Sequence, residues 1–282
     1  MSDPTCDFDY IEYDGERAAA VTRPVIAETP WVLYVEKREW MTFMCLPIEL
    51  HQLALGFLLS EGVIGALDDV WQLKVYLDEN RVYMYFPEAG LNGELALQTC
   101  AEAVGSIDVR LRRPAPDRPA RRMLTSECGG GVTFGDLAGD RPPLQSSRQI
   151  TATQISSLMR QLNEAATLYR TSRGVHTSAL SDGEQLLVLM EDVGRHNTLD
   201  KIRGACVLAG MATHDRILIS TGRISSEMIV KARKMEVPMV ISRTSPTVMS
   251  IRLAREWNMT LIGYVRGRQM RVYTGAERVA FS

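Results

Sequence analysis

The feature that most constrains the fold lies between residues 185 and 265, where short apolar runs alternate with amphipathic stretches. Residues 185–190, 216–220, 239–242 and 261–265 are almost continuously apolar, and 196–209, 225–234 and 246–257 carry apolar residues at helical spacing. Strands apolar along their whole length must be covered on both faces, so the alternation predicts a buried, mainly parallel sheet flanked by helices. Residues 270–273 read as a last strand that turns back as an antiparallel hairpin. Upstream, Thr151 can cap a helix whose apolar positions are Ile155, Leu158, Met159, Leu162, Ala165, Ala166 and Tyr169, ended by Gly174.

The first half is less regular. Residues 25–40 alternate apolar and polar with β-branched and aromatic side chains, the pattern of a strand or hairpin. Pro47 suits the first turn of a helix, with Leu50, Leu53, Ala54, Phe57 and Leu58 as its buried stripe. Strands at 71–77 and 81–86 are joined by a turn at Asp78, Glu79 and Asn80. Residues 112–122 (RRPAPDRPARR) hold five arginines and three prolines and read as an exposed connector. Residues 1–16 are acidic and polar, a flexible N-terminus without the basic and apolar regions of a signal peptide.

Composition narrows the function classes. A net charge of −2 on 282 residues gives no global attraction to nucleic acid or membrane surfaces, and no apolar run is long enough to span a bilayer. A soluble cytoplasmic protein is expected. Five cysteines, at 6, 45, 100, 128 and 206, are odd in number and form no CxxC pair, which fits reduced thiols better than a disulfide scaffold. The four histidines show no HxxxH, HxE or PCxxC pattern, so no metal site is expected.

Five stretches could carry chemistry. Cys128 stands immediately before Gly129, Gly130 and Gly131. Glycines let the backbone turn sharply and leave the sulfur accessible, and their N–H groups could stabilise a thiolate or persulfide. The run 191–201 (EDVGRHNTLDK) sits where a strand gives way to a helix, the usual ligand crevice of an open α/β sheet. Arg195, His196 and Asn197 there add donors to the free N–H groups of the helix start. His196 is also a possible general base, though no nucleophile is identifiable for it, and Asp192, Asp200 and Lys201 could equally form a structural network. Residues 220–227 (STGRISSE) repeat the strand–turn–helix context with Gly222 and Arg223, without a P-loop or GxGxxG pattern; a plain N-cap explains the serines as well. Residues 263–271 (GYVRGRQMR) place Arg266, Arg268 and Arg271 around Gly267, a geometry able to clamp a pyrophosphate or to be a solvated turn. Residues 173–177 (RGVHT) are a weaker case of the same kind. Several anion-friendly turns at strand ends of one sheet suit a large phosphorylated ligand.

These motifs together resemble the FdhD family, the formate dehydrogenase accessory sulfur carriers. The resemblance runs from about Arg17 to Thr274 and is carried by residues 56–64 (GFLLSEGVI), the loop at Cys128, 173–180 (RGVHTSAL), 191–201, 220–232 (STGRISSEMIVKA) and 263–268 (GYVRGR). It implies a sulfurtransferase that accepts persulfide sulfur from a cysteine desulfurase and passes it to the bis-molybdopterin guanine dinucleotide cofactor, which then enters the formate dehydrogenase catalytic subunit. Cys128 matches the first cysteine of the family's CGxCG loop. The residues Tyr264, Val265, Arg266, Gly267, Arg268 and Gln269 match the cofactor-contacting segment. The family fold is similar to that of cytidine deaminases without their zinc ligands. The expected architecture is therefore α/β, a cytidine-deaminase-like mixed sheet flanked by helices with a smaller N-terminal α+β part. Its divisions are 1–16, 17–122, a Cys-Gly loop and connector at 123–150, and a cofactor-binding part at 151–282.

One position departs from the pattern: the family's second loop cysteine is Gly131 here. Cys128 then acts alone or with a distant thiol, for which Cys45 is a candidate. The alternative is a non-catalytic cofactor-binding chaperone with an incidental thiol. A nucleobase deaminase is disfavoured by the missing HxE and PCxxC elements. The sequence is silent on oligomeric state, and an apolar sheet edge could support a homodimer.

Overall fold

The computed structural model describes residues 3–96, 105–117, 123–124, 132–133 and 141–281. The chain opens with an antiparallel ribbon of β1 (Thr5–Tyr13) and β2 (Ala18–Ile26), so residues 5–13, expected within a flexible N-terminus, form a strand instead. Period-two burial then organises the first sheet. Trp31, Leu33 and Val35 of β3 (Thr29–Val35) face inward, and the next strand, β4 (Arg38–Cys45), buries Trp40, Phe43 and Cys45. With β5 (Val70–Tyr76), β6 (Arg81–Phe86), β7 (Leu91–Ala96) and β8 (Ser106–Leu111) they make a six-stranded sheet of order β4-β3-β8-β5-β6-β7. The described part of the connector after β8, residues 112–117, is largely exposed, with Arg112 and Arg113 paired to Glu88 and Asp69.

Helix α1 (Leu50–Glu61) covers this sheet. Leu53, Leu55, Phe57 and Leu58 enter its core, where the Phe43 and Phe57 rings meet edge to face. Beyond the connector, β9 (Met123–Leu124) and β10 (Val132–Thr133) pair across the stretch that contains Cys128; that residue lies outside the described residues.

The second half packs in three layers. β11 (Ile150–Thr151) leads into α2 (Ala152–Ala165), where Thr151 and Gln154 form the reciprocal cap that the sequence signals. The helix stops at Ala166 rather than continuing through Tyr169, and α3 (Thr167–Ser172) starts afresh. Its cause is Glu191, whose carboxylate accepts from the Leu168 and Tyr169 amides at 2.8 and 3.0 Å and so caps a new helix. Then follow β12 (His176–Ser181), β13 (Leu186–Asp192), α4 (Arg195–Leu208), β14 (Ile217–Ser220), α5 (Ser226–Lys234), β15 (Met239–Ser242), α6 (Val248–Glu256), β16 (Thr260–Arg266) and β17 (Gln269–Thr274); a short β18 (Val279–Ala280) pairs with β11. The sheet order is β13-β12-β14-β15-β16-β17. Only β14, β15 and β16 run parallel; the pairings of β12 with β13 and β14, and of β16 with β17, are antiparallel. The mixed sheet implied by the family resemblance is what forms, and the mainly parallel sheet read from the apolar runs is corrected, because β12 is an additional strand. Alternation splits the core: Leu218, Val240 and Leu261 face α4–α6, while Ile217, Ile219, Ile241 and Ile262 face α2. Among the described residues, no helix is long and apolar enough to cross a membrane.

The two halves join where α1 crosses α4, through paired glycines. A Cβ on Gly56 would lie 1.8 Å from the Asp200 carbonyl oxygen, and one on Gly204 would lie 1.9 Å from that of Gln52. Backbone meets backbone here, so neither position has room for a methyl group. Gly56→Ala should cost roughly 3 kcal/mol in urea unfolding by over-packing, whereas Gly93→Ala, with nothing within 4 Å of its Cβ, should stay within about 0.5 kcal/mol of the parent.

Beside this crossing, His51 stacks on Tyr83 with ring centroids 3.9 Å apart. Burial, and secondarily the Lys201 charge, pushes its pKa down to about 4. The folded state therefore takes up this proton less readily than the unfolded chain, and stability falls as pH drops from the unfolded value, about 6.5, towards 4. His51→Gln should remove up to about 3 kcal/mol of that acid-side loss, read from urea midpoints across the same pH window.

Candidate anion-binding site

Parallel strands β14, β15 and β16 bring their C-terminal ends to one edge of the sheet, and antiparallel β12 brings its N-terminal end there too. The turns leaving this edge are laced together. Arg243 donates its amide to the Ser220 carbonyl at 3.1 Å, Tyr264 to Thr244 at 3.0 Å, and the Ser242 hydroxyl donates to the Gly222 carbonyl at 2.6 Å. Gly263 is required for the closest approach: a Cβ there would stand 2.8 Å from the Thr244 carbonyl.

Between this edge and α2–α3 lies a groove of about 1090 Å³. Arg160 of α2, Arg170 of α3, Arg173 at the end of α3, Arg243 after β15, and Arg266 and Arg268 of the β16–β17 turn all line it. Glu164 is the one carboxylate among the lining residues. Hydroxyl and amide groups of Thr153, Ser156, Ser157 and Asn163 complete the α2 wall. A groove of this size with guanidinium forks on three sides can hold a ligand larger than a simple metabolite and bearing several phosphates. The Arg173 guanidinium is 5.5 Å from the centroid of the Tyr169 ring.

Of the residues singled out from sequence, Val265, Arg266, Gly267 and Arg268 line this groove. Gln269 lines an adjoining cavity of about 680 Å³ that shares Thr153, Ser156 and Arg268. Tyr264 does not line it; its backbone sits at φ 54° and its ring lies 4.0 Å under the Arg271 guanidinium. Arg195 and Gly222 belong to the same sheet edge but form a neighbouring cluster, where a Cβ on Gly222 would meet the Arg195 side chain at 3.1 Å and His176 at 3.4 Å. Arg223 is exposed beside it. Arg160, Arg170 and Arg243 escaped the sequence reading. The signal for Arg160 was present in the spacing of Thr153, Ser156, Ser157, Arg160 and Asn163, which lays a polar stripe opposite the Ile155–Leu162 core face. Arg243 immediately follows the strand-end Ser242, and Arg223 comes three residues after the strand-end Ser220.

The run 191–201 is held in a dense network of buried polar contacts. Both ring nitrogens of His196 are engaged, Nδ1 with Glu227 and Nε2 with the Ser225 hydroxyl, each at 3.0 Å, and the side chain is buried. It ties the start of α4 to the start of α5. Asn197 donates to the Met44 carbonyl at 3.1 Å and to Asp192 at 2.8 Å. Asp192 also accepts from the Leu46 amide at 3.3 Å and pairs with the Lys201 ammonium at 2.7 Å; both side chains are fully buried. Lys201 reaches Glu49 as well, at 3.6 Å. Asp200 accepts from the Ser60 hydroxyl at 2.9 Å and pairs with Lys231. The structural alternative for Asp192, Asp200 and Lys201 is therefore the correct one: they clamp α1 and its leading loop onto α4.

The described thiols divide by exposure. Burial, reinforced by Asp192, pushes the Cys45 thiol far up, which makes it a poor nucleophile. Cys206 is raised to about 11 by burial, and Cys6 on the ribbon is exposed.

These features define a two-part α/β protein with a basic, nucleotide-sized groove at the C-terminal edge of its second sheet. The same fold occurs in the crystal structure of a protein from Desulfotalea psychrophila described as a formate dehydrogenase accessory protein, with a TM-score of 0.73 at 22% identity over 98% of this chain and 100% of that one. Two Staphylococcus aureus proteins named sulfur carrier protein FdhD, from strains MRSA252 and bovine RF122 / ET3-1, are each 31% identical over 275 residues, covering 95% of this chain and 94% of theirs. The FdhD/NarQ family model matches residues 26–280, and the chain belongs to that family.

Lys201→Met leaves the Asp192 side chain without its buried counter-charge, and the expected loss is about 3–5 kcal/mol in urea unfolding.

Proposed function

We propose that this protein is a sulfur carrier that loads the molybdenum cofactor of a formate dehydrogenase, with the arginine groove as the seat of the cofactor's guanine dinucleotide. The observation that carries the reading is the groove itself, six arginines against one carboxylate at the edge where parallel strands end. Two pyrophosphates on the bis-molybdopterin guanine dinucleotide supply the complementary charge. Arg266 and Arg268 flank Gly267, at φ 57°, where the absent side chain lets a phosphate approach the backbone. Membership of the family, and relatives named as sulfur carriers, support the sulfur chemistry.

In this reading the Cys128 thiolate attacks the outer sulfur of a cysteine desulfurase persulfide. The S–S bond of the donor breaks, its cysteine leaves as a thiolate, and Cys128 holds the persulfide. Releasing that sulfur to the cofactor as sulfide consumes two electrons, which a second thiol supplies by closing a disulfide with Cys128. Position 131 is glycine and Cys45 and Cys206 are buried, which leaves Cys6, Cys100 or a thiol of another molecule to supply them. The protein works in the cytoplasm, where desulfurase and apo-dehydrogenase are both present. The single loop cysteine favours one second reading, a chaperone that binds the cofactor and transfers no sulfur.

Incubation with desulfurase and cysteine should add the mass of one sulfur atom to Cys128, and Cys128→Ser should abolish formate dehydrogenase activation. Retained activation in that variant would leave the chaperone reading standing. Arg266→Ala with Arg268→Ala should weaken guanosine diphosphate binding by about tenfold or more, with a shallower salt dependence, as expected from losing bidentate contacts.

A further inference from the structure

Ser225 is the nucleophile that His196 lacks in sequence. The imidazole of His196, on the second residue of α4, has a serine hydroxyl on one nitrogen and a carboxylate on the other. Nε2 stands 3.0 Å from Ser225 Oγ, and Nδ1 stands 3.0 Å from Glu227 Oε2. The carboxylate holds the proton of the neutral ring on Nδ1, which leaves Nε2 to accept the proton of the Ser225 hydroxyl. Nucleophile, base and orienting acid in that order make up the triads of acyl-transfer enzymes. The tie between α4 and α5 needs only the His–Glu pair; a hydroxyl held on the remaining nitrogen adds chemistry to it.

The serine is fixed from both sides. Ile224, directly before it, is fully buried, donates its amide to the Ser245 carbonyl at 3.1 Å and accepts from the Thr247 amide at 3.0 Å. Ser225 itself caps α5 by accepting from the Met228 amide at 3.4 Å. The His196 and Glu227 side chains are each only 10% exposed, whereas Ser225 is half-buried and Arg223 is exposed. Base and acid are thus sheltered while the hydroxyl is open to a substrate. First-turn amides of a helix have no intrahelical acceptor. Those of Ser226 and Glu227 follow the hydroxyl directly and are donors for an oxyanion forming beside it. Two guanidinium groups belong to the same turn region: Arg223, and Arg195, whose side chain lies 3.1 Å from where a Cβ on Gly222 would stand. Their charge selects for a negatively charged substrate.

We propose that Ser225, His196 and Glu227 form a hydrolytic centre for small acyl esters or thioesters that carry an anionic group. Ser225 and His196 are its catalytic residues, and Glu227 is a positioning residue. Ser225 Oγ attacks the carbonyl carbon as its proton passes to His196 Nε2, and the carbonyl oxygen becomes an anion held by the Ser226 and Glu227 amides. The carbonyl reforms, the bond to the leaving oxygen or sulfur breaks, and that atom takes the proton from Nε2. Ser225 then carries the acyl group as an ester. Water gives a proton to Nε2 and attacks this ester; Ser225 Oγ leaves with that proton, and the product is a carboxylic acid. No electrons are gained or lost. The centre is independent of the arginine groove and of the sulfur chemistry of Cys128.

A fluorophosphonate probe and two p-nitrophenyl esters, the neutral acetate and the anionic hemisuccinate, test it on the full chain. The probe should phosphonylate Ser225 of the wild type, located by peptide mass spectrometry, and Ser225→Ala should abolish the adduct. The hemisuccinate should be hydrolysed with a kcat/KM about tenfold or more above that of the acetate, and Arg223→Gln should bring the two rates together. Glu227→Gln keeps the size of the side chain but not its charge. It should lower kcat about a hundredfold or more at little change in KM, with the far-UV circular dichroism of the wild type. A wild type without an adduct on Ser225, an adduct that survives Ser225→Ala, or a Glu227→Gln chain that turns over like the wild type would overturn the proposal. Equal rates on the two esters would overturn the anionic substrate class.

Discussion

A lysine ammonium with no solvent exposure holds this structure together. Taking Lys201 out of water costs several kcal/mol, and only close counter-charges offset that. Asp192 stands at 2.7 Å and Glu49 at 3.6 Å, each from a different part of the chain. Burial raises the Glu49 carboxyl pKa and the lysine pulls it back, so proton and partner compete for the same oxygen. Because Glu49 and the Leu46 amide belong to the first half and Asp192 and Lys201 to the second, the Lys201–Glu49 pair and the Leu46–Asp192 hydrogen bond form only when the halves are docked. Close backbone approach through Gly56 and Gly204 makes that docking possible, and the Ser60–Asp200–Lys231 contacts extend it along the helix pair. The first sheet is thereby fastened to the second through one helix crossing rather than through a shared sheet.

The second sheet shows how far sequence patterns carry. Thr151 with Gln154, the turn between β5 and β6, and the closing β16–β17 hairpin are local signals, and local physics decides them. β12 was invisible for a specific reason. Thr177, Ser178 and Ser181 are fully buried, so its hydropathy resembles a loop. The hydroxyls are satisfied in the interior, Thr177 by Glu191 and Ser178 by Thr198 and Ser220, which lets a polar strand occupy a central position. The missing strand is what separates the parallel sheet read from the apolar runs from the mixed sheet that the family resemblance implied.

The candidate site was partly legible for a related reason. Residues 265–268 form one contiguous turn, and a turn with two arginines about a glycine can be recognised alone. Arg160, Arg170 and Arg243 come from three other elements and share nothing in sequence. Residues 191–201 stood out for their density of charge, and density of charge does not distinguish a ligand site from a buried network. Fully buried lysines are rare, so the ligand reading was natural; the network of Asp192, Asn197 and Lys201 was the less common outcome.

Adjacent carboxylates connect the two parts of this picture. Successive residues of a strand point to opposite faces, and the last two of β13 are Glu191 and Asp192. Asp192 turns toward α1 and α4, where it neutralises Lys201. Glu191 turns toward α3 and accepts from the Leu168 and Tyr169 amides and the Thr177 hydroxyl, fixing where that short helix begins. A six-residue helix has little stability of its own, so the direction in which Arg170 and Arg173 project depends on that cap. The strand end that locks the two halves together thus also sets one wall of the groove. A change that loosens the joint at Asp192 displaces Glu191 with it, and the arginines of α3 follow.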